Sequence, residues 1–275
     1  MKMIKSYLFR MPVTLIVALA VATPAVVNAG TIVVSGDANI ANPLTGSFGA
    51  GVVVGNQTFF QNVLQGGTTV RVLQSVSAVG TDSTDLANTD IVSFYNTLPG
   101  VNCALVSGTV TSGTLAGVNL FVSVLPDDAF SASELAALSV FLTNGGSVFF
   151  LGDNNDPLFT TQNAFINLAL ANLGSGLAIV PDVFDHGFND ATTSQIASDT
   201  FTAGVTSFRY AAPSRVEGGT PLFFGSQQQP FLAYERMPVP ESSSCALLVF
   251  GTGLMFFGFR RRPNMRIGRT SHLQS

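Results

Sequence analysis

The sequence predicts an α/β domain built on a mostly parallel β-sheet, and two observations support that prediction. The first is a strand, helix and strand unit between Val118 and Asn155, in which two apolar runs flank a helical repeat of leucines. The second is that strand and helix patterns also alternate on either side of this unit. A strand, helix and strand in this order form a parallel pair with a right-handed crossover. Since the alternation continues on both sides of the unit, we expect one domain spanning residues 30–236.

The central unit has a clear signal at each boundary. Val118–Leu125 is apolar at nearly every position, as expected of a strand that is covered on both faces. Ser131 and Glu134 have the spacing of a capping box, so we expect a helix to begin there. Asn144-Gly145-Gly146 predicts the end of that helix, and Ser147–Leu151 is then a second buried strand.

The flanking elements are shorter and are predicted from turn residues and apolar runs. Before the central unit we expect, in order, a strand at Ile32–Val34, a loop at Ala38–Gly55, a helix at Gln57–Leu64 and a strand at Thr69–Leu73. After it, Asp156-Pro157 predicts the start of a helix that includes Ala164–Leu173. Short strands that close one edge of the sheet are expected at Phe201–Arg209, Pro221–Phe224 and Pro230–Tyr234.

The first 29 residues have the three parts of a secretory signal peptide. The basic residues Lys2, Lys5 and Arg10 precede an apolar run from Val13 to Val21, and small residues follow up to Ala29. We therefore expect export through the Sec translocon and cleavage after Ala29.

Charge is distributed unevenly along the chain. Of the 12 basic residues, three lie in the first 29 positions and five after residue 259, so residues 30–241 keep four arginines against all 16 carboxylates, a formal charge of −12. Such a surface repels phosphate backbones, so we expect no nucleic acid partner. The same charge could attract cations.

The C-terminus reads MPVPESSSCALLVFGTGLMFFGFRRRPN over residues 237–264. Residues 243–259 predict a short transmembrane helix, somewhat below the usual length of about 20 residues. The arginines Arg260, Arg261 and Arg262 follow it directly, so the basic tail at 265–275 is expected in the cytoplasm and the domain outside.

This ending resembles the PEP-CTERM sorting signals of Gram-negative bacteria, in which a short Pro-Glu motif, an apolar helix and an Arg-rich end follow one another. Val239, Pro240 and Glu241 match the motif, whereas Ser242 stands where a second proline is expected. The resemblance implies an exosortase as partner, transient anchoring in the inner membrane, removal of the tail and release to the cell surface, often together with exopolysaccharide. A permanent single-span anchor is the alternative.

The central domain resembles the noncatalytic class I glutamine amidotransferase-like domains, which have a three-layer flavodoxin-like fold. The resemblance is carried by Leu125-Pro126, Ser131–Leu138, Phe141–Gly146 and Thr202–Val205. Active members place a cysteine on a sharp turn after a strand, with a histidine and a glutamate downstream. No cysteine occupies such a turn in this chain, so we assign no catalytic residue.

Cys103 and Cys245 are expected in different environments, one in the domain and one in the apolar run, so a disulfide between them is not expected. Cys103 is interpreted as a small apolar residue of a strand or loop, with a reactive thiol as the alternative.

Candidate ligand residues lie at the expected carboxyl ends of strands, where parallel sheets bind ligands. They are Asp37, Asp127, Asp128, Asp153 and Asp156. A second polar group, in an expected loop, consists of Asp182, Asp185, His186, Asn189 and Asp190. Oxygen ligands of this kind suit Ca²⁺ or Mg²⁺, but no run of residues matches the spaced pattern of a calcium loop. Capping and turn roles are therefore the favoured interpretation, and no cofactor is expected.

Two functions therefore remain open at this stage. The first is a noncatalytic surface or matrix component that binds a partner. The alternative is an exported hydrolase, or a cation-dependent glycan-binding protein, that uses the strand-end carboxylates.

Overall fold

The computed structural model describes residues 30–75 and 83–238, with only the backbone given for residues 83–85. The expected signal peptide at residues 1–29 lies outside these ranges. So do the sorting motif Val239, Pro240 and Glu241, the apolar run at 243–259 and the basic residues Arg260, Arg261 and Arg262. Within the described residues, no helix is both long enough and apolar enough to cross a membrane.

Strands and helices alternate through the first part of the chain. In order they are β1 Thr31–Ser35, α1 Val54–Val63, β2 Thr69–Leu73, α2 Ser83–Tyr95, β3 Asn102–Val106, β4 Leu120–Val124, α3 Ala132–Thr143, β5 Ser147–Leu151 and α4 Pro157–Asn172. Short strands then follow one another: β6 Ala178–Val183, β7 Phe188–Ala191, β8 Phe208–Ala211, β9 Ser214–Glu217, β10 Thr220–Phe224 and β11 Pro230–Arg236.

The central sheet has seven strands in the order β10-β11-β1-β5-β4-β2-β3. The five strands from β1 to β3 in that order are parallel to one another, whereas β11 runs antiparallel to both β1 and β10. Two small antiparallel ribbons, β6 with β9 and β7 with β8, accompany the sheet. The prediction of an α/β domain with a mostly parallel sheet is confirmed.

The hydrophobic core lies on both faces of the sheet. Successive side chains of β1 point to opposite faces of the sheet and so belong to different halves of the core. Val33 lies in the cluster that contains Phe59 of α1. Val34 lies in the cluster that contains Leu138 of α3 and Ile166 of α4. The buried residues of α2, such as Ile91, join the first cluster. Helices therefore cover the sheet on both sides, as buried parallel strands require.

The predicted helix boundaries of the central unit follow from capping chemistry. Ser131 accepts a hydrogen bond from the Glu134 amide and the Glu134 carboxylate accepts one from the Ser131 amide, which completes the capping box of α3. Gly145 ends this helix with a φ of 88°. Asp156 accepts a hydrogen bond from Leu158 N at 3.0 Å and Pro157 occupies the first turn of α4.

Several sequence predictions were wrong in extent. Helix α1 begins at Val54, inside the loop predicted for Ala38–Gly55, whereas α4 begins at Pro157, as the Asp156-Pro157 pair predicts. No strand forms at 201–207, because the Asp199 carboxylate accepts a hydrogen bond from Phe201 N at 2.9 Å and closes a turn there. Helix α2 and strands β6, β7 and β9 were not predicted.

The two ends of the described chain lie side by side. Thr31 pairs with Arg236 in the antiparallel ladder between β1 and β11, and Met237 N donates a hydrogen bond to Gly30 O at 2.8 Å. Both ends therefore leave the domain at the edge of the sheet that carries the amino ends of its parallel strands.

Candidate functional site

Two of the five candidate aspartates meet at the carboxyl edge of the sheet. Asp37 follows β1 and Asp153 follows β5, and these two strands are parallel neighbours. The exposed fraction is 0% for Asp37 and 1% for Asp153. The sequence placed both residues at strand ends, and the topology brings them together inside the protein.

The Asp37 carboxylate is held by backbone donors on both oxygens. Its Oδ1 accepts from Asn39 N at 2.8 Å, and its Oδ2 accepts from Ala211 N at 2.6 Å. Ala211 is the last residue of β8, so one side chain ties the loop after β1 to the ribbon formed by β7 and β8. Hydrogen bonds from N–H groups favour the charged form of the carboxylate.

Asp153 is linked to Asp37 through an asparagine. Asn39 Nδ2 donates to Asp153 Oδ2 at 3.4 Å, and Asn154 N donates to Asp153 Oδ1 at 2.6 Å. The side chain of Asn163 on α4 holds the Asp153 backbone, accepting from its N–H at 3.1 Å and donating to its C=O at 2.8 Å. The site is therefore a hydrogen-bonded network with little freedom.

Burial dominates the protonation of this pair. Burial raises the pKa of Asp37 to about 7, although the hydrogen bonds from Ala211 and Asn39 lower it. Burial also raises the pKa of Asp153 well above its ordinary value, and the charge of Asp37 raises it further. Because Asp37 has more donors that favour its charged form, we infer that Asp153 is the protonated member of the pair at neutral pH.

Two amide oxygens beside the network have no hydrogen-bond partner among the described residues. Asn42 Oδ1 is one of them, and its Nδ2 donates to Asn39 Oδ1 at 3.3 Å. Gln162 Oε1, next to Asn163 on α4, is the other. Sequence reasoning missed all of these amides, since a single Asn or Gln in a loop or helix carries no signal of its partners.

The other three candidate aspartates do not join this pair. Asp156 is exposed and caps α4, as the capping interpretation predicts. Asp127 and Asp128 are exposed after β4 and line a separate surface cavity of about 370 Å³. The five strand-end carboxylates therefore do not form one cleft.

The loop group around His186 is divided among structural contacts. Asp182 pairs with Arg215 at 2.9 Å and Asp190 with Arg209 at 2.7 Å, while His186 is exposed. Asp185 accepts from Tyr210 OH at 2.7 Å and from Ser226 N at 2.6 Å.

Hydrogen-bond donors from Ser226 and Tyr210 decide the protonation of Asp185. Burial would raise its pKa, but the hydrogen bonds from Ser226 and Tyr210 outweigh burial and lower it. Together with the ion pairs of this loop, they indicate a structural role for the group.

Cys103 lies in β3 and is buried, as expected of a small apolar residue. Burial raises the pKa of its thiol to about 12, and the positive charge of Arg71 offsets only part of this shift. A thiol with so high a pKa contains almost no thiolate at neutral pH, so it is a poor nucleophile. Cys245 lies outside the described residues.

The described residues contain no group of three or more His, Cys, Asp or Glu side chains placed to hold a metal ion. Cation binding at the strand ends therefore stays an untested alternative to the capping and turn roles. Asn side chains and backbone carbonyls can also ligate Ca²⁺, and the Asp37 and Asp153 network contains both kinds of oxygen.

No protein-family model matches the chain, and no curated protein matches it. Among solved structures, the chain is similar to the "mmIFT52 N-terminal domain", with 15% identity and a TM-score of 0.39 over 56% of this chain and 86% of that chain. At this TM-score the similarity establishes neither a shared fold nor a shared function.

Proposed function

We propose that this chain is an exported protein whose C-terminus is a PEP-CTERM sorting signal, processed by an exosortase. The chain is anchored for a time in the inner membrane with its domain in the periplasm, and it then reaches the cell surface or the extracellular matrix. There the domain acts as a noncatalytic binding or structural component.

One observation carries this proposal. Gly30 and Met237 are hydrogen bonded at 2.8 Å, and β11 ends at Arg236, three residues before Val239 of the sorting motif. A domain whose two ends leave at one edge can be freed of its leader and held by its tail without any change to the core. This arrangement supports a tethered and then released domain.

The noncatalytic part of the proposal is supported by where the polar groups lie. The Cys103 thiol is buried with a raised pKa, and Asp37 and Asp153 are buried in a hydrogen-bonded network away from the exposed Asp127 and Asp128. A hydrolase that used these carboxylates would need them around one accessible cleft. We also propose that the domain is a three-layer, flavodoxin-like relative of the noncatalytic amidotransferase-like domains, because it resembles them in sequence and has helices on both faces of a mostly parallel sheet. Its parallel strands lie in the order β3-β2-β4-β5-β1, which differs from the 2-1-3-4-5 order of flavodoxin itself.

The sorting proposal is tested by fractionating the native host with and without its exosortase. We expect shortened protein at the cell surface or in the medium of the first strain, and full-length protein in the membrane fraction of the second. Equal amounts of full-length, membrane-bound protein in both strains would contradict the proposal and favour a permanent anchor.

A matched pair of variants separates the motif from the anchor. Glu241→Ala should retain the protein in the membrane without processing, since it changes the motif and leaves the apolar run intact. Glu217→Ala, which removes an exposed carboxylate elsewhere in the domain, should be processed normally. Equal processing of the two variants would remove Glu241 from the recognition motif.

Cation-dependent binding is a second candidate, favoured by the cavity of about 370 Å³ in whose wall Asp127 and Asp128 are exposed. Thermal melts with Ca²⁺ and with a chelator test it. A melting temperature that rises with Ca²⁺ in the wild type and not in Asp128→Asn would support this candidate, and equal melting temperatures in all conditions would remove it.

A further inference from the structure

A groove runs along the edge of the sheet opposite to the buried aspartates. Two adjoining cavities of about 620 and 290 Å³ share Leu64, Gln65, Gly67 and Arg236 in their walls. Residues at the amino ends of four neighbouring strands complete the walls: Thr68 before β2, Val101 before β3, Asn119 before β4 and Ser147 at the start of β5. Because the groove crosses four strands, its shape suits a linear polymer.

The walls of this groove differ in charge from the rest of the domain. Residues 30–241 carry a formal charge of −12, yet neither cavity is lined by an aspartate or a glutamate. Its polar side chains are neutral amides and hydroxyls, including Gln61, Asn62, Gln65, Thr68 and Asn119, together with the single cation Arg236. An anionic ligand would therefore meet the least repulsion here.

Hydrogen bonds within the wall fix the direction of two amides. Asn119 Oδ1 accepts from Thr68 N at 2.9 Å and from Thr69 N at 3.0 Å, so its Nδ2 is the atom left to donate. Gln65 Nε2 donates to Ser147 Oγ at 3.2 Å, which leaves its Oε1 as an acceptor. Sugar hydroxyls both donate and accept, so they can satisfy such alternating groups.

Strand alternation separates Arg236 from its neighbouring carboxylate. Glu235 points to the opposite face, where it accepts from Ser175 Oγ at 2.6 Å and from Gly176 N at 2.8 Å. Tyr234 lies on the same face of the strand as Arg236, and its hydroxyl donates to Asp199 Oδ2 at 3.0 Å. The Asp199 carboxylate also accepts from Phe201 N at 2.9 Å.

Arg236 keeps donors for a ligand. It is exposed, and no carboxylate of residues 30–75 or 86–238 lies within ion-pair distance of it, in contrast to Arg209 and Arg215. A guanidinium has five N–H groups and pairs with carboxylates through two parallel hydrogen bonds.

We propose that this groove binds a linear polysaccharide bearing carboxylate groups. Arg236 pairs with a carboxylate of the polymer, and the neutral side chains of the wall hydrogen bond its hydroxyls. The inference rests on the proposed function only for its setting, since an exported domain meets such polymers outside the cell. Arg236 directly precedes Met237, so the bound polymer would lie beside the point where the chain leaves the domain.

The test is a titration of the purified full-length protein in detergent with an oligogalacturonate, and with a neutral malto-oligosaccharide of equal length. We expect binding of the acidic oligomer to weaken about tenfold or more in Arg236→Gln, as expected for a lost charge-assisted pair. Gln65→Ala should weaken it by a smaller factor. Thermal melts of each variant confirm that the domain is folded.

Arg71→Gln is the matched control. The Arg71 guanidinium donates to Val70 O at 2.8 Å and to Asn102 Oδ1 at 3.0 Å, and Arg71 lines neither cavity of the groove. This variant removes the same charge elsewhere, so its affinity should equal that of the wild type.

Three results would overturn the inference: no binding of the acidic oligomer by the wild type, equal affinity for the neutral oligomer, or equal losses in Arg236→Gln and Arg71→Gln. Each is independent of sorting, because the titration needs no exosortase. If fractionation contradicts the sorting proposal while the purified protein still binds through Arg236, the binding site is supported and the sorting proposal is rejected.

Discussion

At the scale of single residues, environment decides the chemistry of the acidic side chains. Asp37 and Asp153 are buried and have raised pKa values, whereas Asp185, of the same residue type, has a lowered pKa because of its donors. The difference is physical: burial removes the water that stabilises a carboxylate, and N–H or O–H donors replace part of that stabilisation. The position of an aspartate at the end of a strand therefore does not by itself make it a metal or substrate ligand.

The buried pair predicts an unusual dependence of stability on pH. Because both pKa values are raised in the folded protein, its folded state binds more protons than the unfolded chain. The contribution of the pair to stability is thus fully present below the ordinary aspartate pKa of about 4, and it is lost as pH rises through about 7, the value for Asp37.

Asp153→Asn removes the member that is protonated at neutral pH. Asn42 Oδ1 has no hydrogen-bond partner among the described residues and can accept from Asn39 Nδ2 after both side-chain amides flip, so the new amide can be accommodated. Urea denaturation at pH 8 should give a free energy of unfolding higher than that of the wild type by about 1–3 kcal/mol. At pH 4.5 the difference should shrink.

Asp37→Asn provides the control for that variant. Both Asp37 oxygens accept from backbone N–H groups, so an amide nitrogen would face a donor, and the variant should be destabilised at both pH values. If Asp153→Asn differs from the wild type by the same amount at pH 4.5 and pH 8, the pair does not titrate as described.

The raised thiol pKa of Cys103 predicts low reactivity. In a Cys245→Ser background, the folded protein at pH 8 should react with a disulfide reagent at least tenfold more slowly than the urea-unfolded protein, because burial suppresses both access and ionisation. Reaction at the same rate in both states would restore the interpretation of Cys103 as a reactive thiol.

At the scale of elements, local chemistry explains what was predictable. The capping box of α3 and the Asp156-Pro157 start of α4 depend on residues within four positions of each other, so they can be recognised in a sequence. Helix α2 was missed because Ser, Thr, Asn and Asp are weak helix formers, and it is stabilised by burying Ile91 and Tyr95 against other elements.

The α3 cap gives a direct test at this scale. Ser131→Ala removes the side-chain acceptor of the Glu134 amide and should lower the free energy of unfolding by about 1 kcal/mol, measured by thermal or urea denaturation. Ser133→Ala, in the same exposed turn, should change it by less than about half that amount. Equal effects would argue against a capping contribution.

At the scale of the whole molecule, one aromatic cluster joins elements from both ends of the chain. The Phe59 ring of α1 makes edge contacts with Phe149 of β5, Phe208 of β8 and Phe223 of β10. Phe208 and Phe223 stack with ring centroids 3.9 Å apart. The parallel strands and the short antiparallel strands therefore share one core, so we expect a single cooperative unfolding transition.

Phe59→Ala should lower the free energy of unfolding by about 3–5 kcal/mol, because it leaves a cavity at the centre of this cluster. Phe48→Ala is the matched control, since Phe48 is 45% exposed, and it should have an effect below about 1 kcal/mol. Separate transitions in near-ultraviolet and far-ultraviolet circular dichroism would contradict a shared core.

The α/β class, the central strand, helix and strand unit and the separation of an acidic domain from two basic ends can all be predicted from the amino-acid sequence. These features depend on periodicity, capping and charge, which are local or additive along the chain. Three other features become visible only in the folded protein: Asp37 and Asp153 form a buried pair, Asp127 and Asp128 stay apart from it, and Arg236 faces a groove without acidic side chains. Each of these depends on strand order and on contacts between residues distant in the chain, which no local pattern encodes.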